Sequence, residues 1–195
     1  KEVHHRVKNN MQIVSSLLNI QAESVEDNRF TSLLKASQQR IKSMAMIHEN
    51  LYQSESLVEI DFHDYIQSLA NSLCRLYTSP GITIHLDIGV DDVNLDIDTA
   101  VPCGLIINEL ISNALKHAYD DHVGSGTIGV YFRKTNGCYE LTICDDGRGM
   151  PEDFDFNNTQ SMGMEIVCIL TEQLEGEIEY HRGKGSRFTI KFQGR

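Results

Sequence analysis

From Glu2 to Val25 the chain contains no proline or glycine, and its apolar residues recur at helical spacing. At ~100° per residue, Val3, Val7, Met11, Val14, Leu17 and Leu18 gather on one side. A second uninterrupted stretch, Arg29 to Glu55, carries Phe30, Leu34, Ile41, Met44 and Leu51 at near-heptad spacing, and polar Glu26-Asp27-Asn28 separates the two. The pattern predicts a helical hairpin. Two helices bury little surface by themselves, so the expected complement is a second copy, giving a dimeric four-helix bundle.

Beyond Ser54-Glu55-Ser56 the period changes. A short Val58-Glu59-Ile60 segment leads into a helix over about Phe62 to Tyr77, which stops before a Ser-Pro-Gly turn at Ser79 to Gly81. Ile82 to Ile88 and Val93 to Ile97 alternate apolar and polar positions as strands do, and a long helix follows over about Thr99 to Ala118. Strands are expected again at Thr127 to Arg133 and Cys138 to Asp145, a helix at Met164 to Leu174, and a closing hairpin from Glu177 to His181 and Arg187 to Phe192. Helices and an antiparallel-leaning sheet in separate blocks indicate an α+β fold, a two-layer sandwich rather than a doubly wound parallel sheet. The change of period separates a helical domain, 1–57, from a sandwich domain, 58–195.

Composition narrows the function. Basic residues number 17 and acidic residues 28, a formal charge of −11 that disfavours general binding to nucleic acid or to an anionic membrane. Any phosphate must be met locally. No apolar run approaches the ~20 residues of a membrane span, and no secretory segment follows Lys1. Cys74, Cys103, Cys138, Cys144 and Cys168 are odd in number and widely spaced, which suggests neither a disulfide framework nor a zinc site. A cytoplasmic setting without direct membrane contact is expected.

On the helix around residue 110, Glu109, Asn113, Lys116 and His117 share one face, while Ile107, Ile111, Ala114, Leu115 and Ala118 lie opposite. A carboxylate, an amide oxygen and an ammonium so aligned can take a proton, ligate a hard cation such as Mg²⁺ and neutralise a phosphate. An ordinary solvated helix face has the same composition, so this segment alone decides nothing. Asp145-Asp146-Gly147-Arg148-Gly149-Met150-Pro151 follows a strand, sending a carboxylate from the sheet edge into a glycine-permitted turn. Such a carboxylate can accept the exocyclic amine of a purine, although an isolated DxGxG is equally a plain turn. Ser161-Met162-Gly163-Met164 stands at a helix start, where free N–H groups favour phosphate. Polar Glu152 to Gln160 reads as a lid, and the Gly183-Lys184-Gly185-Ser186 turn can close a nucleotide pocket.

Taken in order, helix-borne NELxxNAxKH, then DxGxGMP, a lid, a glycine before a helix and a late GSxF strand resemble the Bergerat nucleotide-binding fold. Gyrases, one class of heat-shock chaperones, MutL-type repair proteins and histidine kinases share it. Glu2-Val3-His4-His5-Arg6-Val7-Lys8-Asn9-Asn10-Met11-Gln12 resembles the phosphoacceptor box of sensor histidine kinases of the HWE-related subclass. The chain departs from the pattern in having no Trp and in carrying Ser161 where a first glycine is usual. The resemblance implies a dimerisation and histidine-phosphotransfer hairpin followed by a catalytic domain that uses ATP and Mg²⁺. It puts Asp145 on adenine, Asn113 on Mg²⁺, Lys116 on phosphate and Gly163 beside the triphosphate, with His117, Gly147, Gly149, Gly185 and Ser186 lining the pocket. It further implies an upstream sensory domain and transfer of the phosphoryl group to an aspartate of a response-regulator receiver. Rivals are an ATPase or serine kinase on the same fold, and a non-enzymatic dimeric scaffold.

Helix phase separates the two adjacent histidines. With His5 at 0°, the apolar set centres near ~180° and His4 falls at ~260°, toward Met11. His5 is therefore the expected acceptor, with Glu2 at i−3, Asn9 at i+4 and Gln12 at i+7 on its face. Where many sensor kinases place an acidic residue after the acceptor this chain has Arg6, so the candidate bases are Glu2 and Glu109. His48, His63, His85, His122 and His181 show no metal-ligand spacing.

Overall fold

The computed structural model describes residues 2–23, 27–53, 60–78, 81–91, 93–119, 124–151 and 161–194. Within helices and strands, the side chains of 2–8, 23, 28–29, 32, 39, 43, 46–53, 60–61 and 94 are outside that description. Val3, Val7 and Leu51 of the expected seam, the side chains of Glu2, His4 and His5, and the lid at 152–160 therefore lie outside the described residues. Two compact units divide the chain, Lys1–Ile60 and Asp61–Arg195.

The first unit is a pair of helices, α1 (Glu2–Glu23) and α2 (Asn28–Gln53). Thr31 donates to the Asp27 carbonyl from both its N–H, at 2.9 Å, and its hydroxyl, at 3.0 Å, which fixes the first turn of α2. Small Ser15 and Ala22 are buried on α1, and Gln38 of α2 donates to the Ser15 carbonyl at 3.3 Å. Met11, Leu18, Leu34, Ile41 and Met44 are half-buried. Val14 and Leu17, grouped with Leu18 by the sequence pattern, are instead exposed, as are Ile13, Ile20, Phe30 and Leu33. One chain thus covers only part of its apolar surface.

At the division between the units stands β1 (Ile60–Asp61), and the second unit continues with α3 (Phe62–Tyr77), β2 (Thr83–Val90) and β3 (Asn94–Leu95). Then come α4 (Ile97–His117), β4 (Ser125–Thr135), β5 (Cys138–Asp145), α5 (Met162–Gln173), β6 (Glu177–Gly183) and β7 (Gly185–Gln193). β1 and β3 form a two-stranded ribbon, and the main sheet runs β2-β4-β5-β7-β6. β2 pairs parallel with β4, and the other neighbours are antiparallel. The expected α+β architecture is the one observed.

Strand alternation sets the layers. Ile128, Val130 and Phe132 of β4, Leu141 and Ile143 of β5, and Phe188, Ile190 and Phe192 of β7 are buried on the helix-covered face. Ile66, Leu69 and Leu73 of α3, Ile106, Ile107 and Ile111 of α4, and Met164 and Val167 of α5 complete the core. Phe132 anchors one end, with ring centroids 4.8 Å from Phe62 and 5.5 Å from Tyr139. Asn136 and Gly137, at φ 51° and 82°, turn β4 into β5 with the left-handed pair that suits a tight hairpin.

Val93 to Ile97 departs from the expected strand, since only Asn94–Leu95 is extended and a helix begins at Ile97. Asp96 is the cause. Its carboxylate accepts the Thr99 N–H at 2.9 Å and the Thr99 hydroxyl at 3.1 Å, an N-cap that starts α4 earlier than alternation suggests.

Candidate active site

Two contacts organise the candidate site: the middle of α4 meets the start of α5, and the residue just past α4 meets the turn after β5. Asp145 ends β5, its carboxylate oxygen Oδ1 accepting the Gly147 N–H at 3.0 Å and the Ser186 N–H at 3.4 Å. Burial raises its pKa, an effect opposed by these hydrogen bonds to Gly147 and Ser186. Gly185, at φ +96°, is pressed on this residue, since a Cβ there would stand 2.0 Å from the Asp145 carbonyl. Gly149, at φ +74°, packs toward Gly185 in turn. The space a Cβ would take at Gly147 is filled by Ala118, just past α4, and the neighbouring Arg148 N–H donates to the Ala118 carbonyl at 3.0 Å. The glycines therefore permit close packing of the turn on α4 and on the β6–β7 hairpin.

Glu109 and Asn113, one turn apart on α4, meet the start of α5. A Cβ on buried Gly163 would lie 2.8 Å from Glu109 Oε2 and 3.7 Å from the Asn113 amide. Glu109 is only 5% exposed, and Asn108 donates to its Oε1 at 3.2 Å. The Asn113 amide nitrogen donates weakly to Met164 Sδ at 3.5 Å, which orients an amide whose oxygen is a hard-cation ligand. Among the described residues no group of three or more His, Cys, Asp or Glu could hold a metal ion. A metal here fits the Mg²⁺ pattern, in which one or two protein oxygens work with substrate phosphates.

Lys116 shares the helix but stands elsewhere in space, with its ammonium 4.4 Å from the centroid of the Tyr77 ring at the end of α3. His117 is exposed, and its pKa is lowered by partial burial and then by the charges of Lys116 and Arg148. Asn9, on the helical unit, is exposed. The structure thus brings Glu109, Asn113 and Gly163 together, and Asp145, Gly147, Gly149, Gly185 and Ser186 together. Sequence reasoning passed over Asn108, Tyr77 and the Tyr180 hydroxyl, which accepts the Met150 N–H at 3.3 Å. Asn108 stands in the same motif as Glu109, whereas nothing local points to Tyr77 or Tyr180.

A cleft of about 450 Å³ opens on the outer face of the sheet, lined by Tyr131, Cys144, Asp145, Asp146, Arg187 and the Arg182–Ser186 turn. Asp145, Gly185 and Ser186 are shared with this cleft, whereas Glu109, Asn113 and Gly163 are not among its walls.

Comparison with known proteins agrees with this geometry. Residues 2–77 match the family described as histidine kinase, and residues 99–195 match the histidine kinase-, DNA gyrase B- and HSP90-like ATPases. The chain is 32% identical over 184 residues to the sensor histidine kinase PdtaS of Mycolicibacterium smegmatis, covering 93% of this chain and 36% of that protein. It is 28% identical over 189 residues to blue-light-activated histidine kinase 2 of Erythrobacter litoralis, covering 93% of this chain and 53% of that one. The solved Erythrobacter litoralis EL346 blue-light activated histidine kinase superposes with a TM-score of 0.75 at 26% identity, over 98% of this chain and 57% of that chain. This chain therefore spans about a third to a half of the curated relatives named here. With a histidine kinase helical segment followed by a sandwich of the ATPase type, the chain belongs to the sensor histidine kinases.

Proposed function

We propose that this chain is a kinase core in which the sandwich unit binds Mg-ATP and passes the γ-phosphoryl group to His5 on the helical unit. The roles follow a division at 1–57 and 58–195, dimerisation and phosphotransfer before catalysis. The observation that carries the reading is the pairing, in one unit, of a half-buried Asp145 backed by two N–H groups with the Glu109–Asn113–Gly163 contact. An adenine needs the first and a metal-bound triphosphate the second.

Asp145 accepts the adenine amine, and Gly147, Gly149, Gly185 and Ser186 shape the backbone around it. Asn113 offers its amide oxygen to Mg²⁺, which when bound neutralises charge on the phosphates. Gly163, at the first turn of α5, lets the phosphates approach the backbone N–H groups of that helix start. Lys116 adds a positive charge on leaving the Tyr77 ring, and His117, with its lowered pKa, favours the neutral form beside it. The imidazole of His5 attacks the γ-phosphorus in line; the new P–N bond forms as the bond to the β-phosphate oxygen breaks, and ADP leaves. The imidazole proton passes to Glu2 or Glu109, while Asn9 orients the ring. An aspartate on a response-regulator receiver then takes the phosphoryl group.

Two copies supply the missing surface of the helical hairpin, and a sensory domain lies upstream. The use of ATP and of a response-regulator partner supports placing this portion in the cytoplasm; among the described residues no helix is long and apolar enough to cross a membrane.

Incubation with γ-labelled ATP tests the proposal. The expected label is acid-labile, lost in His5→Gln and substantially kept in His4→Gln. Acid-stable label would instead indicate a serine kinase, and phosphate release without label an ATPase. Label that survives loss of both histidines would overturn the assignment.

A further inference from the structure

The two ends of the proposed ATP site belong to distant segments, Asn113 to α4 and Asp145 to the end of β5. A polar joint connects them just beyond α4. The ring of Tyr119 lies on Gly126, where a Cβ would come within 2.2 Å of it. The Tyr119 hydroxyl shares its proton between the Thr127 carbonyl, at 2.8 Å, and Asp146 Oδ1, at 3.1 Å. That same carboxylate oxygen accepts the Thr127 N–H at 2.7 Å, and the Asp146 N–H donates to the Thr127 carbonyl at 3.3 Å. Arg148 N–H on the Ala118 carbonyl, at 3.0 Å, completes the connection.

We infer that Tyr119 and Asp146 are positioning residues that lock the adenine-binding turn to the phosphate-binding helix, and so set how tightly ATP is held. The inference rests on Asp145 and Asn113 being the two ends of the ATP site.

Position in the chain gives the joint its leverage. Asp146 directly follows the adenine acceptor, yet its Oδ1 is engaged by Thr127 and Tyr119. Tyr119 lies two residues beyond His117, so a hydroxyl on the helix end reads the location of the turn. The joint sits on backbone near the start of β4 rather than in the Phe132 cluster, so loosening it shifts Asp145 relative to Asn113 without opening the core. A ligand gripped at both ends must then restore the spacing at the expense of its own affinity. Burial and the neighbouring Asp146 and Asp145 push the Tyr119 pKa upward, so the hydroxyl keeps its proton across the range in which the enzyme works.

Tyr119→Phe keeps the ring over Gly126 and deletes one hydroxyl. It should raise the calorimetric Kd and the KM for Mg-ATP by about two- to ten-fold, the worth of one net hydrogen bond, with kcat at saturation and Tm close to wild type. Asp146→Ala should weaken ATP at least as much, and Asp146→Asn, which retains an oxygen acceptor, should recover part of that loss. Asp145→Asn is measured alongside as the reference for the site itself. Wild-type ATP affinity in Tyr119→Phe and Asp146→Ala, beside a weakened Asp145→Asn, would overturn the inference alone. Wild-type affinity in all three would overturn the nucleotide reading and the inference with it. A fall in kcat at unchanged Kd would also refute a role in holding ATP.

Discussion

Gly147→Ala adds one methyl group where the proposed adenine turn meets the end of α4. Gly147 is not among the glycines with positive φ, so an alanine has no backbone objection there and the effect is purely steric. Its Cβ would stand 2.4 Å from the Ala118 oxygen, 2.5 Å from the Ala118 Cβ and 2.8 Å from the Ala118 carbonyl carbon. Ordinary contact begins near ~3.5 Å, so the turn must retreat by on the order of 1 Å. Neither a backbone carbonyl nor an alanine methyl can rotate aside. Retreat also breaks the Arg148 hydrogen bond to Ala118, 3.0 Å in the wild type. Overpacking costs about 1–3 kcal/mol and a lost hydrogen bond about 0.5–1.5 kcal/mol, so the sum is about 1.5–4.5 kcal/mol. In a unit of this size that lowers Tm by on the order of 10 °C. Thermal unfolding followed by circular dichroism gives the stability, and calorimetric titration gives ATP affinity, which should weaken because Asp145 moves with the turn. Gly183→Ala is the matched control: a Cβ there meets nothing within 4 Å, and its change should stay within about 0.5 kcal/mol. Wild-type Tm and affinity in Gly147→Ala, or equal losses at Gly183, would refute the packing argument.

Three further outcomes are expected. Burial raises the Asp145 pKa, so ATP affinity measured against pH should begin to fall at a higher pH than an ordinary aspartate would give. For the empty protein the sign is opposite: a raised folded pKa contributes stability that is present at low pH and is lost as pH rises through it. Asn113→Ala should reduce phosphoryl transfer far more than nucleotide docking, and normal turnover at ordinary Mg²⁺ would remove it as the metal ligand. Leu17 is 55% exposed in a single chain, so Leu17→Glu should split the dimer while leaving helicity unchanged; light scattering that found wild type monomeric at micromolar concentration would refute the bundle.

Local pattern made much of the fold readable. Cys138 to Asp145 was expected as a strand and is one at both ends, because alternation and a flanking Asn-Gly turn agree. Val93 to Ile97 misleads, because apolar residues at alternate positions compete with a single capping aspartate, and the cap prevails. The motif residues around Glu109 and Asp145 stand out since each sits in a compact run of unusual composition. Tyr119 and Tyr180 do not, because their partners, Thr127, Asp146 and Met150, are fixed by tertiary contact. Lys116 against Tyr77 shows the same limit: the shared helix face is legible, whereas the neighbouring helix that engages the ammonium is not.

Because β2 runs parallel to β4, with Thr83 opposite Ser125, the chain between them must return along the sheet, and α4 lies in that crossover. The β4–β5 and β6–β7 hairpins close locally and quickly, whereas the crossover pairing waits on a long loop closure. Glu109 and Asn113 ride on the crossover helix, and Asp145 still needs the Ser186 N–H of β7. On the proposed site, then, the helix assigned to the phosphates is made well before the second support of Asp145, and nucleotide should be held only weakly until β7 has been made. ATP bound at the proposed site would select the finished sandwich. At ~100 times its Kd it would stabilise that state by about 2.7 kcal/mol, so the kinase's own substrate also acts as a folding ligand.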